Sequence, residues 1–597
     1  PTLQKIKTWT AAHWREILIA LCCLLMVFGF WATAVNTSWA RIAALETIEP
    51  YGFAVHEQLL YNFSNSGDFY QTIHLGYDNT WTWSGHRAIT LPLNGLLYGL
   101  DPSPLWLSKI QIFWMLSGAI PAAWLGRHVL GNVWGILLGA FFYLMSPALM
   151  ALALQDYQDL VLATPFLMWT ICAMYSGSLY WVILGAIIGC MPREECVPLV
   201  LATAMVVYPG NRRLWLRNIA AASGVAVFYF LVINGIFPLQ ESQHDMPLVN
   251  AIKQVTQWPP QLFLDGWPYL GEFYSLLWAP IGLLAIFAPE ILLPGILLIF
   301  LHMTVPWGHG VDRSWGAHVH HMGPALPFFT AAAIVGTARL LKWLQKQTRI
   351  PRATATVLSL SLAAYAINWC ANWGDYYRLK SAFTITSPTY THPVWTLAEN
   401  HLSPEDIPIV SSKYAVAVSS RTRSYTYNES LYEKAPGKGL AAGTHLIADS
   451  RKTPLIDWAM AMPGAQKIAE EGPFVLITWT PGASDPSVRG FSCQGTYQNH
   501  QDMAQRSHAQ LETARKAAHR GESHKHISAE CPASSQLPQC PENSGQHCTS
   551  CCASSDHRPW PGMPADRNAI EGVPPRKAPP PPPKPRDGKQ APPQKNP

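Results

Sequence analysis

Three carboxylic acids are the strongest candidates for acid–base chemistry in this chain. Glu57 follows the first long apolar run, and Asp156 and Asp159 stand three residues apart between two later runs. A carboxylate can take the proton of an attacking hydroxyl group, and two acids on one helical face can also bind a cation. The alternatives place Glu57 in water on an amphipathic helix over residues 54–63, and the two aspartates in a solvated loop. We predict that the catalytic carboxylate is among these three.

A second motif could bind an anion. Arg193 and Glu194 stand between two short apolar runs, where ionisable residues either face a cavity or pair with one another. The planar guanidinium of Arg193 can hold a phosphate through two parallel hydrogen bonds. The motif therefore predicts either a substrate-binding phosphate clamp or a structural salt bridge inside the membrane.

Histidines in two predicted loops extend this binding site. His318, His320 and His321 precede a later apolar run, and His86 with Arg87 lies in the long first loop. We expect these side chains to hydrogen-bond the substrate or its phosphate. Imidazoles also bind zinc and similar ions, but the spacing matches no closed zinc motif. No metal ligand is therefore assigned, the cofactor stays unknown, and a divalent cation is kept as an alternative.

Apolar runs of membrane-spanning length separate these motifs. Hydrophobic residues make up 49% of the 597-residue chain, charged residues only 13%, and tryptophans number 25. Runs of about 17–25 apolar residues can cross a bilayer as helices, and we predict about eleven spans. The clear runs are 16–35, 105–126, 132–152, 159–176, 217–237, 272–288, 290–305, 323–342 and 353–371. Runs 179–190 and 196–209 flank Arg193 as two short spans or as paired half-helices, and run 88–100 is predicted to lie at the interface.

Basic residues orient these spans, because short cytoplasmic loops carry the excess of Lys and Arg. The basic residues before the first span, Arg127 after the second span, and the clusters at 212–217 and 342–352 all fall on one side when the spans are counted alternately. This predicts a multi-pass protein of the bacterial inner membrane with a cytoplasmic amino terminus and an uncleaved first span. The outer loops 36–104 and 305–322 then carry most of the candidate residues. A net charge of +5 is too small and too spread to indicate nucleic acid.

Two further regions follow the membrane domain, which we place at residues 1–371. Residues 372–480 are predicted to form a small extracytoplasmic α/β domain that grips substrate or docks a partner. Its predicted strands are Ile407–Val418 and Phe474–Trp479, and its predicted helices are Leu397–His401 and Ile456–Met462. Residues 481–597 lack apolar periodicity, are rich in His, Cys and Pro, and are predicted to be a disordered tail.

The order of several short motifs resembles a known family. These are Tyr51-Gly52-Phe53, Glu57-Gln58, Gly85-His86, Leu100 to Pro104, Asp156-Tyr157-Gln158, Arg193-Glu194-Glu195, His320-His321 before Pro324 and Pro327, and Ser419-Ser420-Arg421. In order and spacing they resemble bacterial predicted membrane proteins of domain-of-unknown-function family 2079, over roughly residues 15–480. That family is grouped with the GT-C glycosyltransferases, so the resemblance implies an all-α polytopic fold of GT-C type.

The resemblance also implies an activity. GT-C enzymes transfer a sugar from a polyprenyl phosphate, and an acidic residue in the first outer loop usually acts as the base. Gly52 stands at that position here, a departure that keeps a non-catalytic assembly or scaffold subunit as the first alternative. A transporter is the second alternative, although no internal repeat is detectable. Membrane lipids and a polyprenyl-phosphate sugar are the expected partners, and protein partners stay unknown.

Overall fold

The computed structural model of the chain describes residues 2–47, 50–67, 69, 71–73, 88–207, 210–236, 282–304, 323–348, 391–427 and 443–480. The chain divides into two compact units, Pro1–Tyr497 and Gln498–Pro597, and every described residue belongs to the first. The predicted span 353–371 and the predicted tail 481–597 lie outside the described residues.

The described part of the membrane region is helical. Its helices are α1 (Thr2–Ala43), α2 (Pro50–Ser66), α3 (Thr90–Tyr98), α4 (Pro104–Ser117), α5 (Ala119–Leu130), α6 (Trp134–Leu144), α7 (Pro147–Ala153), α8 (Ala163–Tyr175), α9 (Leu179–Cys190), α10 (Cys196–Val206), α11 (Arg212–Ile236), α12 (Gly282–Ala285), α13 (Pro289–Thr304) and α14 (Leu326–Thr348). A 3₁₀ turn, Asp159–Leu162, precedes α8.

Three described helices are long and apolar enough to cross a membrane: His13–Ala43, Arg212–Val232 and Gly323–Lys346. Helices α6 and α7 form a fourth span if their 54° bend is counted inside one crossing. Pro147 opens α7 and explains the bend, because it lacks the backbone N–H that would continue α6. Helices α8, α9 and α10 are each shorter than the roughly 20 residues that a straight crossing needs. The larger number of spans stays a prediction.

The predicted span 105–126 is two helices that meet at Gly118. The hydroxyl of Tyr143 lies where a side chain on Gly118 would be placed, and it donates a hydrogen bond to the carbonyl of Met115, 2.9 Å away. Glycine at this position therefore allows α6 to approach the junction of α4 and α5.

Helices α5 and α6 pack backbone to backbone through glycine. A Cβ atom on Gly135 would overlap the carbonyl group of Gly126, and one on Gly139 would overlap that of Ala122. Small residues at such positions let helices approach closely, which is a common basis of helix association in membranes.

We expect Gly135→Ala to lower the free energy of unfolding by about 1–3 kcal/mol, because the added methyl group forces α5 and α6 apart. Chemical denaturation in detergent measures the change. Gly224→Ala in α11 is the control, since no atom lies within 4 Å of its Cβ position. It should leave stability unchanged or raise it by up to about 1 kcal/mol. Equal losses in both variants would contradict the close contact.

The C-terminal region forms a mixed five-stranded sheet. Its strands are β1 (Pro408–Ser411), β2 (Tyr425–Tyr427), β3 (His445–Asp449), β4 (Gln466–Glu471) and β5 (Phe474–Thr478), in the order β2-β1-β3-β5-β4. Strand β1 is parallel to β2 and β3, whereas β5 is antiparallel to β3 and β4. The predicted small α/β region is therefore present.

The predicted strand Ile407–Val418 is wrong beyond Ser411. Residues Ser412–Val418 form a 3₁₀ helix, and Ala415 to Val418 are buried in it. A continuous apolar run does not distinguish a buried strand from a buried helix, so the apolar pattern could not locate this change. Helices α15 (Pro393–His401) and α16 (Thr453–Met460) contain most of the two predicted helical segments.

One face of the sheet packs against the membrane-region helices. Val410, Ile447 and Leu476 belong to the same buried cluster as Phe53 and Leu60 of α2. The opposite face packs Ile409, Leu446 and Ile477 against Leu455 and Ala459 of α16. Strand β1 and the 3₁₀ helix thereby place the next residues of the chain, from Ser419 on, against α2.

Residues at the start of α15 hydrogen-bond to the last carbonyl groups of α1. The indole nitrogen of Trp395 donates to the carbonyl of Ile42 at 2.9 Å, and the backbone nitrogen of His392 donates to that of Ala43 at 2.9 Å. These bonds satisfy carbonyls that a helix end leaves without intrahelical partners. The C-terminal region is thus fixed to the first membrane helix as well as to α2.

Candidate functional site

Helix α3 carries three buried polar side chains on one face. Thr90, Asn94 and Tyr98 recur every fourth residue, and each is almost completely buried. Four residues advance a helix by about 6 Å, so the three side chains form a polar line about 12 Å long. Each contacts a different part of the chain, and together they connect the predicted site residues.

At the Tyr98 end, Glu57 accepts hydrogen bonds from three hydroxyl groups. Tyr98 donates to Oε1 at 2.9 Å, Ser420 donates to Oε1 at 2.6 Å, and Ser419 donates to Oε2. Glu57 is fully buried, which contradicts the alternative that placed it in water. Burial raises the pKa of Glu57 to about 7, although the three hydroxyl groups act to lower the pKa.

In the middle of the line, Asn94 positions Tyr157. The Asn94 amide donates to the Tyr157 hydroxyl at 2.6 Å and accepts from the indole of Trp114 at 2.9 Å. Tyr157 in turn donates to Oδ1 of Asp159 at 3.3 Å. Asp159 opens the 3₁₀ turn before α8 and is buried, which contradicts the alternative that placed it in a solvated loop.

Asp159 also contacts a histidine. Nε2 of His56 lies 3.4 Å from Oδ2 of Asp159, and Nδ1 lies 2.8 Å from the carbonyl oxygen of Gly52. Because a carbonyl oxygen only accepts, Nδ1 carries a proton, and the Nε2 contact with Asp159 is where a second proton can be shared. Gly52, at the position where an acid was expected, therefore orients the imidazole ring through its backbone.

Asp156 has a different partner. Its Oδ1 lies 3.4 Å from Nη2 of Arg41, which also donates through Nη1 to the carbonyl of Leu154. Asp156 is buried, so the solvated-loop alternative is wrong for this residue as well. Although Asp156 and Asp159 are three residues apart, they bind separate partners, the guanidinium of Arg41 and the imidazole of His56.

At the Thr90 end, two buried side-chain atoms have no hydrogen-bond partner within the described part of the chain. The backbone nitrogen of Thr90 donates to the carbonyl of Met191 at 3.3 Å, which places α3 beside the turn that contains Arg193. Arg193 is only 6% exposed, and neither its Nε nor the Thr90 Oγ1 has a partner among the described residues. No ion pair joins Arg193 to Glu194, which is half-buried. The described structure therefore lacks the predicted salt bridge.

Five predicted site residues lie outside the described part of the chain: His86, Arg87, His318, His320 and His321. The described residue Gly323, which follows the histidine cluster, accepts a hydrogen bond from Thr164 at 2.8 Å. The chain after that cluster is thereby fixed beside the start of α8, close in sequence to Asp159. Within the described ranges, no group of three His, Cys, Asp or Glu side chains could hold a metal ion.

Sequence reasoning missed the organising role of α3. The repeat of Thr90, Asn94 and Tyr98 at every fourth position inside an apolar run is a readable signal of a polar helical stripe. Pro92 and Gly95 favoured an interfacial segment instead. In the structure Pro92 lies within the first turn of α3, where proline is tolerated, and Gly95 packs directly against Phe63 of α2.

Comparison with known proteins finds a family and a solved structure that this chain resembles. A family model described as "Predicted membrane protein (DUF2079)" matches residues 47–420, more than half of the chain. Among solved structures, ArnT from Cupriavidus metallidurans bound to undecaprenyl phosphate matches with a TM-score of 0.45 and 11% sequence identity, over 80% of this chain and 100% of that chain. No curated protein matches the sequence.

Proposed function

Because the chain belongs to the DUF2079 family of predicted membrane proteins, we propose that it is a GT-C-like membrane glycosyltransferase. In this proposal it takes a sugar from a polyprenyl-phosphate donor and transfers it to a hydroxyl acceptor on the extracytoplasmic side of the inner membrane. The observation that carries the proposal is the buried guanidinium of Arg193, whose Nε has no hydrogen-bond partner in the described structure.

A buried cation without a counter-ion is costly, by several kcal/mol even after relaxation. A phosphate group would offset this cost, since guanidinium and phosphate form short, bidentate, charge-assisted hydrogen bonds. The hydroxyl of Thr90, at the end of α3 that lies beside the Arg193 turn, has no partner among the described residues. It can donate a hydrogen bond to a further phosphate oxygen. Helices α9 and α10, on either side of Arg193 in the sequence, expose Trp181, Ile187 and Met205 along their lengths, and this apolar surface suits an isoprenoid chain.

In the proposed reaction, Asp159 with His56 takes the acceptor's proton. The acceptor oxygen forms a bond to the sugar carbon as the bond from that carbon to the phosphate oxygen breaks, and Arg193 stabilises the phosphate that leaves. We favour Asp159 over Glu57 because Tyr157, which donates to Asp159, is held by Asn94 one turn of α3 from Thr90. Glu57 instead binds Tyr98, two turns from Thr90. Asp156 is held by Arg41 instead.

Radiolabelled polyprenyl-phosphate sugars and the purified protein in lipid nanodiscs test this proposal. We expect release of labelled sugar, either to water or to an acceptor fraction extracted from membranes. The reaction should need the phosphate linkage, so a polyprenyl glycoside without phosphate serves as the control donor. No release from a broad donor panel by folded protein would contradict the proposal.

A non-catalytic subunit derived from the same fold is the second candidate. The specific observation in its favour is that Glu57, Asp156 and Asp159 each have protein partners, while Gly52 replaces the expected acid. Such a subunit would bind the lipid phosphate at Arg193 without turning it over. Binding with no turnover in the nanodisc assay would favour this second candidate.

A further inference from the structure

The interface between α2 and the C-terminal region is a polar clasp, defined here by Glu57, Gln58 and Asn62 of α2 and residues 419–424. Gln58 donates to the carbonyl of Arg421 at 3.1 Å, and Asn62 donates to that of Thr422 at 3.1 Å. Thr72 adds a hydrogen bond to the carbonyl of Ser424 at 2.7 Å. Among these side chains only Glu57 can change its charge near neutral pH.

An ionised Glu57 would leave one of the hydroxyl contacts around it without a hydrogen. Ser419 has one hydroxyl hydrogen but two acceptors, Oε2 of Glu57 and the carbonyl of Val416, which lies 3.0 Å away. If Glu57 is protonated at Oε2, it donates to Ser419, and Ser419 donates to Val416. Tyr98 and Ser420 still donate to Oε1, so all four contacts then have a hydrogen.

No positive charge compensates an ionised Glu57 in the described structure. The titratable groups of α3 and α2 near Glu57 are the phenols of Tyr98 and Tyr61. The imidazole of His56, also on α2, faces Asp159 instead. From the C-terminal segment, Arg421 is directed away and donates to the carbonyls of Leu402 and Ser403. A fully buried carboxylate without a cation is more stable when it is neutral.

We propose that Glu57 is a proton-dependent latch, which fastens residues 419–424 to α2 when it is a neutral acid and releases them when it ionises. The inference does not depend on the proposed transferase activity, since it concerns how two parts of the chain are joined. Release would free the segment that leads from the 3₁₀ helix into β2 at the edge of the sheet.

The direction of the pH effect follows from the raised pKa of Glu57. The pKa is about 7 in the closed interface and 4.5 for an ordinary glutamate, so the closed state binds the proton more tightly. The latch is complete below about pH 4.5, weakens as the pH rises through this interval, and is lost above about pH 7.

Hydrogen–deuterium exchange of the full-length protein in nanodiscs tests the latch. From pH 5.5 to 8 we expect the protection factors of residues 419–424, corrected for intrinsic rates, to fall by about 30-fold, the change implied by a pKa of about 7. The amides of β3 serve as the internal control and should keep their protection.

Glu57→Gln is the matched variant, because its amide donates to Ser419 as the neutral acid would but does not ionise. We expect its protection at 419–424 to be equal at both pH values. Wild-type protection that does not change, or a variant that follows the wild-type profile, overturns the proposal. Should the variant not fold, the wild-type infrared spectrum decides: a protonated carboxylic acid band that persists at pH 8, or is absent at pH 5.5, overturns it.

Discussion

Replacing Arg193 with methionine should stabilise the ligand-free protein while abolishing its binding of polyprenyl phosphate. Methionine fills a similar volume without a charge, and replacing a buried charge with an apolar side chain can stabilise a protein by about 1–4 kcal/mol. The same change removes the charge-assisted bonds to phosphate, so we expect affinity to fall at least about 100-fold. Thermal unfolding with and without polyprenyl phosphate measures both effects.

Arg217→Met is the matched control for this prediction. The Nε of Arg217 is also buried without a partner, but its Nη2 donates to the carbonyl of Gly177. We expect Arg217→Met to lose stability, because that carbonyl loses its donor, and to keep its affinity for the lipid phosphate. If Arg193→Met instead lost stability and still bound the lipid, Arg193 would have a structural role and the phosphate site would be wrong.

Asp159→Asn is expected to lower turnover by about 100-fold to 10,000-fold, the usual contribution of a general base. The amide oxygen of asparagine can still accept the hydrogen bond of Tyr157, so we expect the fold to survive. The loss should fall on kcat with little change in affinity for the donor. Initial rates and donor binding, measured on the same preparation, separate these two quantities.

Asp156→Asn is the control for Asp159→Asn. Asp156 pairs with Arg41, so its substitution should lower stability and leave turnover within about 10-fold of wild type. A large loss of turnover in Asp156→Asn with normal turnover in Asp159→Asn would show that the base was assigned to the wrong aspartate. Equal, near-wild-type turnover in both variants would exclude both acids as the base.

The family and the helical character of the membrane region could be predicted from the sequence, since motif order and apolar runs are local features. The number of spans could not be read in the same way. Run 132–152 is divided where Pro147 bends it, and run 105–126 where Gly118 admits Tyr143. Hydropathy averages over such breaks, so it predicts apolar length better than it predicts continuous helices.

The partners of the candidate acids could not be predicted, because they are distant in sequence. Glu57 meets Ser419 and Ser420 more than 360 residues later, and their contact depends on the 3₁₀ helix that had been predicted as a strand. Asp159 meets His56 only because α2 and the turn before α8 are both joined to α3. Arg193 was predicted as a phosphate ligand from its residue type and its position between short apolar runs, and its buried, unpartnered state agrees with that role without testing it.

Native mass spectrometry of the detergent-solubilised protein measures directly whether Arg193 holds the lipid phosphate. Wild-type protein and Arg193→Met would each be titrated with polyprenyl phosphate and with the uncharged polyprenol of equal chain length. We expect a one-to-one adduct of polyprenyl phosphate with wild type, its loss in Arg193→Met, and weak binding of the polyprenol that is the same in both proteins. Equal binding of polyprenyl phosphate to the two proteins would contradict the assignment of Arg193 as the phosphate site.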